Sequence, residues 1–123
     1  MADKKYLLGL DVSTTGAKAL IVDADGRVIS SATNPLTLST PYPLWSEQDP
    51  DDWWDGMRAS IQEALQTADL DGADIAAIGL TGQMHGLVLL DEAGLPLRPA
   101  ILWNDQRTAC LLYTSDAADD NRV

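Results

Sequence analysis

The first third of the chain consists of short apolar runs separated by short polar turns. The runs cover residues 6–12 and 17–23, and Ala24-Asp25-Gly26 follows the second of them. Asp-Gly between two such runs is a strong hairpin signal, so a third strand is expected at 27–32. The pattern predicts three strands joined as an antiparallel meander.

A long amphipathic helix is predicted after a proline-rich segment. Segment 33–48 carries several prolines and is expected to be irregular. Asp49 suits the N-cap of the helix that follows, and Pro50 suits its first helical position. Apolar residues then recur at spacings of three and four, which predicts a buried stripe that ends near Asp69: Trp53, Met57, Ile61, Ala64, Leu65 and Ala68.

The second half of the chain is expected to add strands to this sheet. The compact apolar run at 75–81 predicts a strand buried under the helix, and a strand reached through a helix is usually parallel to its neighbour. Residues 87–90 and 100–103 are expected to form two more strands, with a turn over 91–99 between them. Strands that precede and follow one helix in the sequence predict an α/β fold with a mixed sheet.

Composition and charge narrow the classes of function. The chain has 123 residues, with 8 Lys+Arg against 19 Asp+Glu and a formal net charge of −11. This acidity disfavours binding to nucleic acid or to an anionic membrane, and no apolar run reaches the roughly eighteen residues of a membrane-spanning helix. The single cysteine and single histidine exclude an internal disulfide framework, a cysteine-based zinc site and a multi-histidine metal site. A cytoplasmic location is the default expectation.

The first candidate site is the turn between the first two predicted strands. Asp11 ends a strand, and a turn rich in hydroxyls and glycine follows it. Such a turn can direct N–H groups and hydroxyls at phosphate oxygens, and Asp11 can hold Mg²⁺ through water. From spacing alone, an ordinary polar hairpin turn stays open as the alternative. The candidates for phosphate and ATP binding are Asp11, Ser13, Thr14, Thr15, Gly16 and Lys18.

The second candidate site combines two loops of the second half. Gln83 and His85 stand in a glycine-bracketed loop after a predicted strand and can hydrogen-bond to sugar hydroxyls. Trp103 precedes an amide and a carboxylate, and an indole can cover the C–H face of a sugar. A tight turn with an exposed histidine and a core tryptophan before a helix cap stay open as alternatives. The candidates for substrate binding are Gln83, Met84, His85, Trp103, Asn104 and Asp105.

An indole-rich segment joins the irregular connection to the predicted helix. Trp53 and Trp54 are expected to pack the start of the helix against the sheet. Residues 45–48 lie in irregular chain and could reach a cleft.

Three segments together resemble the FGGY family of carbohydrate kinases: 9–18, 43–54 and 82–107. The most specific motifs are Leu-Trp-Ser-Glu-Gln-Asp-Pro followed by Trp-Trp, and Gly-Gln-Met-His-Gly with Arg-Pro-Ala-Ile-Leu-Trp-Asn-Asp behind it. The resemblance implies an α/β fold of the actin-like ATPase (ribonuclease H-like) class, as an incomplete N-terminal domain with a mixed sheet and one long amphipathic helix. It also implies ATP and Mg²⁺ as cofactors. The implied reaction transfers the γ-phosphoryl group to the 5-hydroxyl of D-xylulose, with ribulose and gluconate as alternative sugars.

The resemblance also implies roles for single residues. Asp11 matches the aspartate that organises Mg²⁺ and phosphate, and Ser13 stands where many members of the family have glycine. The residues that match the first phosphate loop are Thr14, Thr15, Gly16 and Lys18. Met84 and His85 match the pair that contacts a ketose, where kinases of glycerol carry Arg-Glu. The residues that match the wall of the sugar pocket are Trp103, Asn104 and Asp105.

The chain is expected to consist of two parts. Residues 1–109 are predicted to be a partial N-terminal kinase domain, and 110–123 a non-native tail, because the stretch from Cys110 to Asp120 resembles a translated sequencing adapter. Family members are several times longer, so the catalytic base is expected outside this chain, no catalytic residue is assigned within it, and the chain alone is expected to be inactive. A free-standing acidic α/β binding module without chemistry is the alternative. A sugar and ATP are the expected partners, and a homodimer of the longer protein stays open.

Overall fold

The computed structural model describes residues 5–109 of the chain, and the tail predicted to be non-native lies outside these residues. Six strands, one α-helix and a short 3-10 helix at Gly72–Asp74 form this part. In chain order the main elements are β1 (Tyr6–Val12), β2 (Gly16–Asp23), β3 (Val28–Pro35), β4 (Glu47–Gln48), α1 (Pro50–Ala68), β5 (Ile75–Gly82) and β6 (Ala100–Ile101).

The main sheet is mixed, as the sequence predicts. Its strand order is β3-β2-β1-β5. The first three strands form the antiparallel meander, and β5 pairs in parallel with β1. The register places Asp11 of β1 between Lys18 of β2 and Thr81 of β5. Because partners in register project from the same face of a sheet, these three residues share the face that α1 does not cover.

The hairpin between β2 and β3 forms where Asp-Gly predicts it. The carboxylate of Asp23 accepts hydrogen bonds from the N–H groups of Asp25 and Arg27, both at 2.9 Å. Gly26 has a φ of 82°, a backbone conformation that is strained for residues with a Cβ. The third strand extends further than predicted, to Pro35 instead of residue 32.

Helix α1 begins and ends as its sequence signals predict. The Asp49 side chain accepts from the N–H of Asp51 at 2.9 Å, and Asp69 closes the helix in the left-handed conformation. The helix packs on β2 and β3, where Ala64 joins a core of Leu8, Ala19, Ile21 and Ala32. Ser60 is fully buried in this interface, and its hydroxyl donates to the carbonyl of Ala17 at 2.7 Å.

Two expectations about packing and one about secondary structure are wrong. The strand β5 is not buried under α1, because α1 lies over β2 and β3, and Ile78 and Leu80 remain 61% and 75% exposed. Trp54 is 63% exposed and does not pack the helix start. Segment 33–48 is not irregular throughout, since β4 lies within it.

The predicted strands at 87–90 and 100–103 form only in part. Within the described residues, 87–90 contributes only single bridges, from Leu87 to Ile101 and from Leu90 to Pro96. The strand β6 is only two residues long; it pairs with β4, and its Ile101 also forms the bridge to Leu87. Across the connection at 91–99, Leu87 and Ile101 exchange backbone hydrogen bonds at 2.8 and 3.1 Å, and the Leu97 N–H donates to Leu89 O at 2.9 Å. The turn predicted there does form, with the Asp91 N–H donating to Leu95 O at 2.8 Å.

Within residues 5–109, no helix has both the length and the apolar character needed to cross a membrane.

Candidate active site

The turn between β1 and β2 is held in shape by Ser13. The Ser13 N–H donates to Gly16 O at 2.9 Å, and the Ser13 hydroxyl accepts from the N–H groups of Gly16 at 3.1 Å and Thr15 at 3.3 Å. Three of the N–H groups that the sequence assigns to phosphate are therefore engaged within the turn. A phosphate would have to compete with the Ser13 hydroxyl for two of them. Phosphate binding by these groups stays a prediction.

Gly16 is required by the close approach of two strands. A Cβ at this position would lie 3.0 Å from Cγ2 of Thr33 and 3.3 Å from the carbonyl oxygen of Asn34. The missing side chain therefore lets β2 begin directly beside the end of β3. This gives Gly16 a packing role in addition to the predicted one.

Asp11 and Lys18 lie together beside a cavity of about 500 Å³ on the open face of the sheet. Thr81 lies next to them, at the end of β5. Asp11 and Lys18 are exposed, and the structure shows no ion pair between them within residues 5–109. Both charges are thus available to a ligand.

The loop after β5 forms one wall of a second, smaller cavity. This cavity of about 300 Å³ is lined by Gly82, Gln83, Met84, His85 and Trp103. His85 has a φ of 67°, in the left-handed region that few residues with a side chain adopt. Strained backbone of this kind often occurs at ligand sites, and here it brings the imidazole into the wall of the cavity.

The phosphate turn and the sugar cavity meet at Thr14. The indole Nε1–H of Trp103 donates to Thr14 Oγ1 at 3.0 Å, and Thr14 Oγ1 donates to Gln83 Oε1 at 3.3 Å. One side chain of the turn therefore contacts two residues of the cavity. The two candidate sites form one continuous surface.

The predicted wall residues divide between different surroundings. Trp103 lines the cavity with His85, whereas Asn104 lines a separate cavity of about 460 Å³ beside Trp45 and Gln106. The buried Oδ1 of Asn104 has no hydrogen-bond partner within the described residues. A role of Asn104 in sugar binding stays a prediction.

Asp105 is engaged by protein groups instead of facing a cavity. Its carboxylate accepts from the N–H of Ser46 at 2.7 Å and from Arg107 at 2.7–3.0 Å. The hydrogen bonds from the Arg107 side chain lower the pKa of Asp105 to about 2, although burial raises it. Arg107 also donates to Glu47 at 2.8 Å and lies 3.7 Å above the ring of Trp45. Asp105 therefore braces the loop that carries Trp103, and its predicted contact with the sugar stays untested.

Asp11 is suited to a Mg²⁺ ion that retains most of its water. Among residues 5–109 there is no group of three or more His, Cys, Asp or Glu side chains that could hold a metal. Mg²⁺ bound to a nucleotide does not need such a group, since one carboxylate, waters and phosphate oxygens complete its shell. The exposed carboxylate of Asp11, with the Thr81 hydroxyl and the Lys18 ammonium as neighbours, has the required chemistry.

Two buried polar residues support the site, although the sequence predicts only that residues 45–48 could reach a cleft. Gln48 and Glu47 are 2% and 7% exposed, although long polar side chains are rarely this buried. Gln48 contacts Thr14, Trp53 and Gln83, and Glu47 contacts Arg98 and Arg107. The only signal was their position in the Trp-Ser-Glu-Gln-Asp-Pro motif, since a pattern of polar letters does not indicate burial.

Comparisons with known proteins identify the family and the fold. Residues 6–117 match the model of the FGGY family of carbohydrate kinases, N-terminal domain. The chain is 44% identical over 102 residues to the xylulose kinase of Escherichia coli K12, and the aligned region covers 83% of this chain and 21% of that protein. It is 41% identical over 106 residues to a glycerol kinase of Citrifermentans bemidjiense, and this alignment covers 85% of this chain and 21% of that kinase. A solved structure, the xylulose kinase from Rhodospirillum rubrum, superposes with a TM-score of 0.86 at 37% identity, over 96% of this chain and 24% of that one.

These matches confirm the expected fold and family. The chain spans about a fifth of the length of the curated relatives it matches. The family match reaches beyond residue 109, and the boundary between domain and tail stays a prediction. The mixed sheet and the helix correspond to those of an actin-like sugar kinase. The chain belongs to the FGGY family of carbohydrate kinases, as part of their N-terminal domain.

Proposed function

We propose that this chain is part of an ATP-dependent xylulose kinase, which transfers the γ-phosphoryl group of ATP to the 5-hydroxyl of D-xylulose. The observation that carries the proposal is the meeting of the two candidate sites at Thr14, which contacts Gln83 and Trp103 of the sugar cavity. A phosphate bound at the turn and a sugar bound in the cavity would be neighbours. Phosphoryl transfer requires this proximity more than any covalent step by the protein.

Asp11, Lys18 and the Ser13–Gly16 turn would bind the phosphates of ATP. Mg²⁺, when bound, neutralises charge that develops on the phosphates, and Asp11 would hold it through water. Lys18 supplies a positive charge on the same face of the sheet, at the register position opposite Asp11. Since the chain carries a net charge of −11, attraction of ATP depends on these local groups and not on the overall field.

Gln83, Met84, His85 and Trp103 would bind the sugar. The Trp103 ring is 57% exposed beside the cavity and can cover the C–H face of the ketose. Kinases of glycerol carry Arg-Glu at the positions of Met84 and His85. The pair found here therefore favours a ketose over glycerol as the substrate. The general base is proposed to lie outside this chain, and residues 5–109 would bind and orient the substrates.

The proposed location follows from the proposed reaction, whereas the assembly does not. ATP and free sugar are substrates of cytoplasmic metabolism, so we propose a cytoplasmic enzyme. No nucleic acid or membrane partner is proposed. A homodimer is compatible with the proposal but is not required by it.

A hybrid kinase tests the proposal. Residues 6–109 of this chain replace the matched segment of the E. coli xylulose kinase, and initial rates are measured with D-xylulose, D-ribulose, D-gluconate and glycerol. We expect the highest kcat/KM with D-xylulose. Asp11→Asn in the hybrid should lower kcat with little change in the sugar KM, because an amide is a weaker ligand for a hard cation.

Two results would contradict the proposal. A folded hybrid that prefers glycerol, ribulose or gluconate would identify a kinase for another sugar. A folded hybrid that is inactive with all four compounds would favour the non-catalytic binding module.

A further inference from the structure

The buried side chain of Gln48 connects the two substrate sites. Its Nε2 donates to the carbonyl oxygen of Thr14 at 2.6 Å, in the phosphate turn. Its Oε1 accepts from Nε2 of Gln83 at 3.1 Å, in the sugar cavity, and from the indole Nε1 of Trp53 at 2.9 Å, on α1. One amide therefore contacts the turn, the cavity loop and the start of the helix.

The chemistry of the partners fixes the orientation of every group in this network. An indole N–H can only donate, so the atom of Gln48 that faces Trp53 must be the oxygen. The Gln48 NH₂ group then faces the Thr14 carbonyl, which can only accept. The Gln83 NH₂ group must face the same Gln48 oxygen, which turns the Gln83 oxygen toward the Thr14 hydroxyl.

The same order of donors and acceptors reaches Trp103. Because the Thr14 hydroxyl donates to Gln83, it presents a lone pair to the Trp103 indole, which donates to it at 3.0 Å. The hydrogen bonds thus run without a break from Trp53, through Gln48, Gln83 and Thr14, to Trp103. Reversing any one amide would place two donors or two acceptors against each other.

We propose that Gln48 is a positioning residue that couples the sugar cavity to the phosphate turn. It fixes the separation of Thr14 and Gln83, and through them it holds the Trp103 ring. The inference deepens the proposed kinase function and rests on it for its catalytic consequence. Gln48 itself is 2% exposed and would act only through these neighbours.

The first test uses the chain itself and does not depend on activity. Gln48→Glu preserves the size and the acceptor that faces Trp53 and Gln83, but it places an acceptor against the Thr14 carbonyl. In ¹H–¹⁵N spectra, the indole signals of Trp53 and Trp103 should both shift, although Trp103 lies several bonds of the network away. The signal of the exposed Trp54 should stay in place and serves as an internal control.

A matched variant and a second cut in the network complete this test. Gln62→Glu makes the same chemical change on an exposed position of α1 and should leave all indole signals unchanged. Thr14→Val removes the hydroxyl between Gln83 and Trp103, so it should shift Trp103 and leave Trp53 nearly unchanged, and Thr14→Ser should restore the Trp103 signal. These Thr14 variants also test the network if Gln48→Glu does not fold.

The second test uses the hybrid kinase. Gln48→Glu should lower kcat by ten- to about a hundredfold, as misplacement of bound reactants by about 1 Å does, and raise the sugar KM several-fold. Gln62→Glu should match the unmodified hybrid in both constants. A Gln48→Glu hybrid with unchanged kcat and sugar KM would overturn the inference, as would a Trp103 signal that does not respond to Gln48→Glu or to Thr14→Val.

The two proposals fail in different ways. If the unmodified hybrid is inactive, the proposed function fails, and the indole signals alone decide whether Gln48 couples the two loops. If the unmodified hybrid is active and the indole signals do not respond, the coupling fails and the kinase function stands.

Discussion

His85 combines a strained backbone with a position in the wall of the sugar cavity. Its φ of 67° lies in the left-handed region, and its side chain lines the cavity together with Gln83, Met84 and Trp103. A residue with a Cβ in this conformation costs about 1–2 kcal/mol relative to the right-handed region. Replacement by glycine removes this cost, which makes it possible to separate the role of the side chain from that of the backbone.

In the hybrid kinase, His85→Ala and His85→Gly should both raise the KM for D-xylulose and leave the KM for ATP nearly unchanged. Loss of one hydrogen bond to a sugar hydroxyl costs about 0.5–1.5 kcal/mol, and up to about 3 if a buried partner loses its only bond. The sugar KM should therefore rise between several-fold and about a hundredfold. Steady-state kinetics with each substrate varied in turn measure both constants.

The conservative replacement provides the control for this prediction. His85→Gln should recover part of the loss, because an amide N–H can donate from a similar distance. If His85→Gly keeps the normal sugar KM, the imidazole does not bind the sugar and His85 serves only the turn. An equal rise in the KM of both substrates would also contradict a specific contact with the sugar.

At the scale of elements, an ion cluster connects β4 to the loop that carries Trp103. Glu47 of β4 contacts Arg98 and Arg107, and Asp105 contacts Arg107 and the N–H of Ser46. The side chains of Asp105 and Glu47 are 2% and 9% exposed. Pairs this well enclosed are screened less than surface pairs, so their ionisation affects the stability of the fold.

The cluster predicts a loss of stability in acid. The pKa of Asp105 is lowered from 3.8 to about 2, mainly by hydrogen bonds from Arg107, so the unfolded chain takes up this proton more readily than the folded one. The stabilising contribution is complete above the unfolded pKa and is lost as the pH falls from about 4 toward 2. Allowing for solvent screening, it amounts to about 1–2 kcal/mol.

Urea unfolding of the wild-type chain and of Asp105→Asn, at about pH 5 and about pH 2.5, measures this contribution. The comparison is needed because other carboxylates titrate in the same range. Asp105→Asn should be less stable than wild type at the higher pH, and the difference should shrink at the lower pH, since the carboxylate is then partly protonated. A difference that stays the same at both values would mean that the charge of Asp105 does not stabilise the loop.

The elements that the sequence predicts correctly are those whose signals are local. The β2–β3 hairpin depends on Asp23 and Gly26 within its own turn, and α1 depends on Asp49 at its own start. The register that brings Asp11 beside Lys18 follows from the short turn between their strands. These features need no information from the rest of the chain.

The features that the sequence does not reveal depend on distant partners. Besides the nearby Arg107, Asp105 contacts the backbone N–H of Ser46, which lies 59 residues earlier in the chain. Gln48 is buried by contacts with the turn and the cavity loop. Its partners there lie 34 and 35 residues away along the chain. Hydrophobic periodicity does not predict contacts between residues that are far apart in the sequence. For the same reason it could not show that α1 lies over β2 and β3 and leaves β5 uncovered.

At the scale of the whole molecule, α1 is too narrow to cover the sheet. Ile78 and Leu80 of β5 pair in register with Leu8 and Leu10 of β1, so all four project from the face on which α1 lies. Leu8 is 3% exposed, whereas Ile78 and Leu80 are 61% and 75% exposed. The strand β5 is also an edge of the sheet, and an apolar edge strand favours association.

This surface should bind an apolar dye and promote aggregation despite the net charge of −11. The double replacement Ile78→Thr and Leu80→Thr should lower the fluorescence of the bound dye and the scattering of the wild-type chain at equal concentration. It should change the free energy of unfolding by only about 0.5 kcal/mol, because both side chains are already largely in water and threonine suits a strand. Val28→Thr is the control, because Val28 is 58% exposed on β3, the opposite edge of the sheet. It tests whether removing an exposed apolar side chain elsewhere has the same effect. The fluorescence of the bound dye should change little. Dye binding that persists in the double variant and falls in Val28→Thr would place the dye-binding apolar surface on β3 and not on β5.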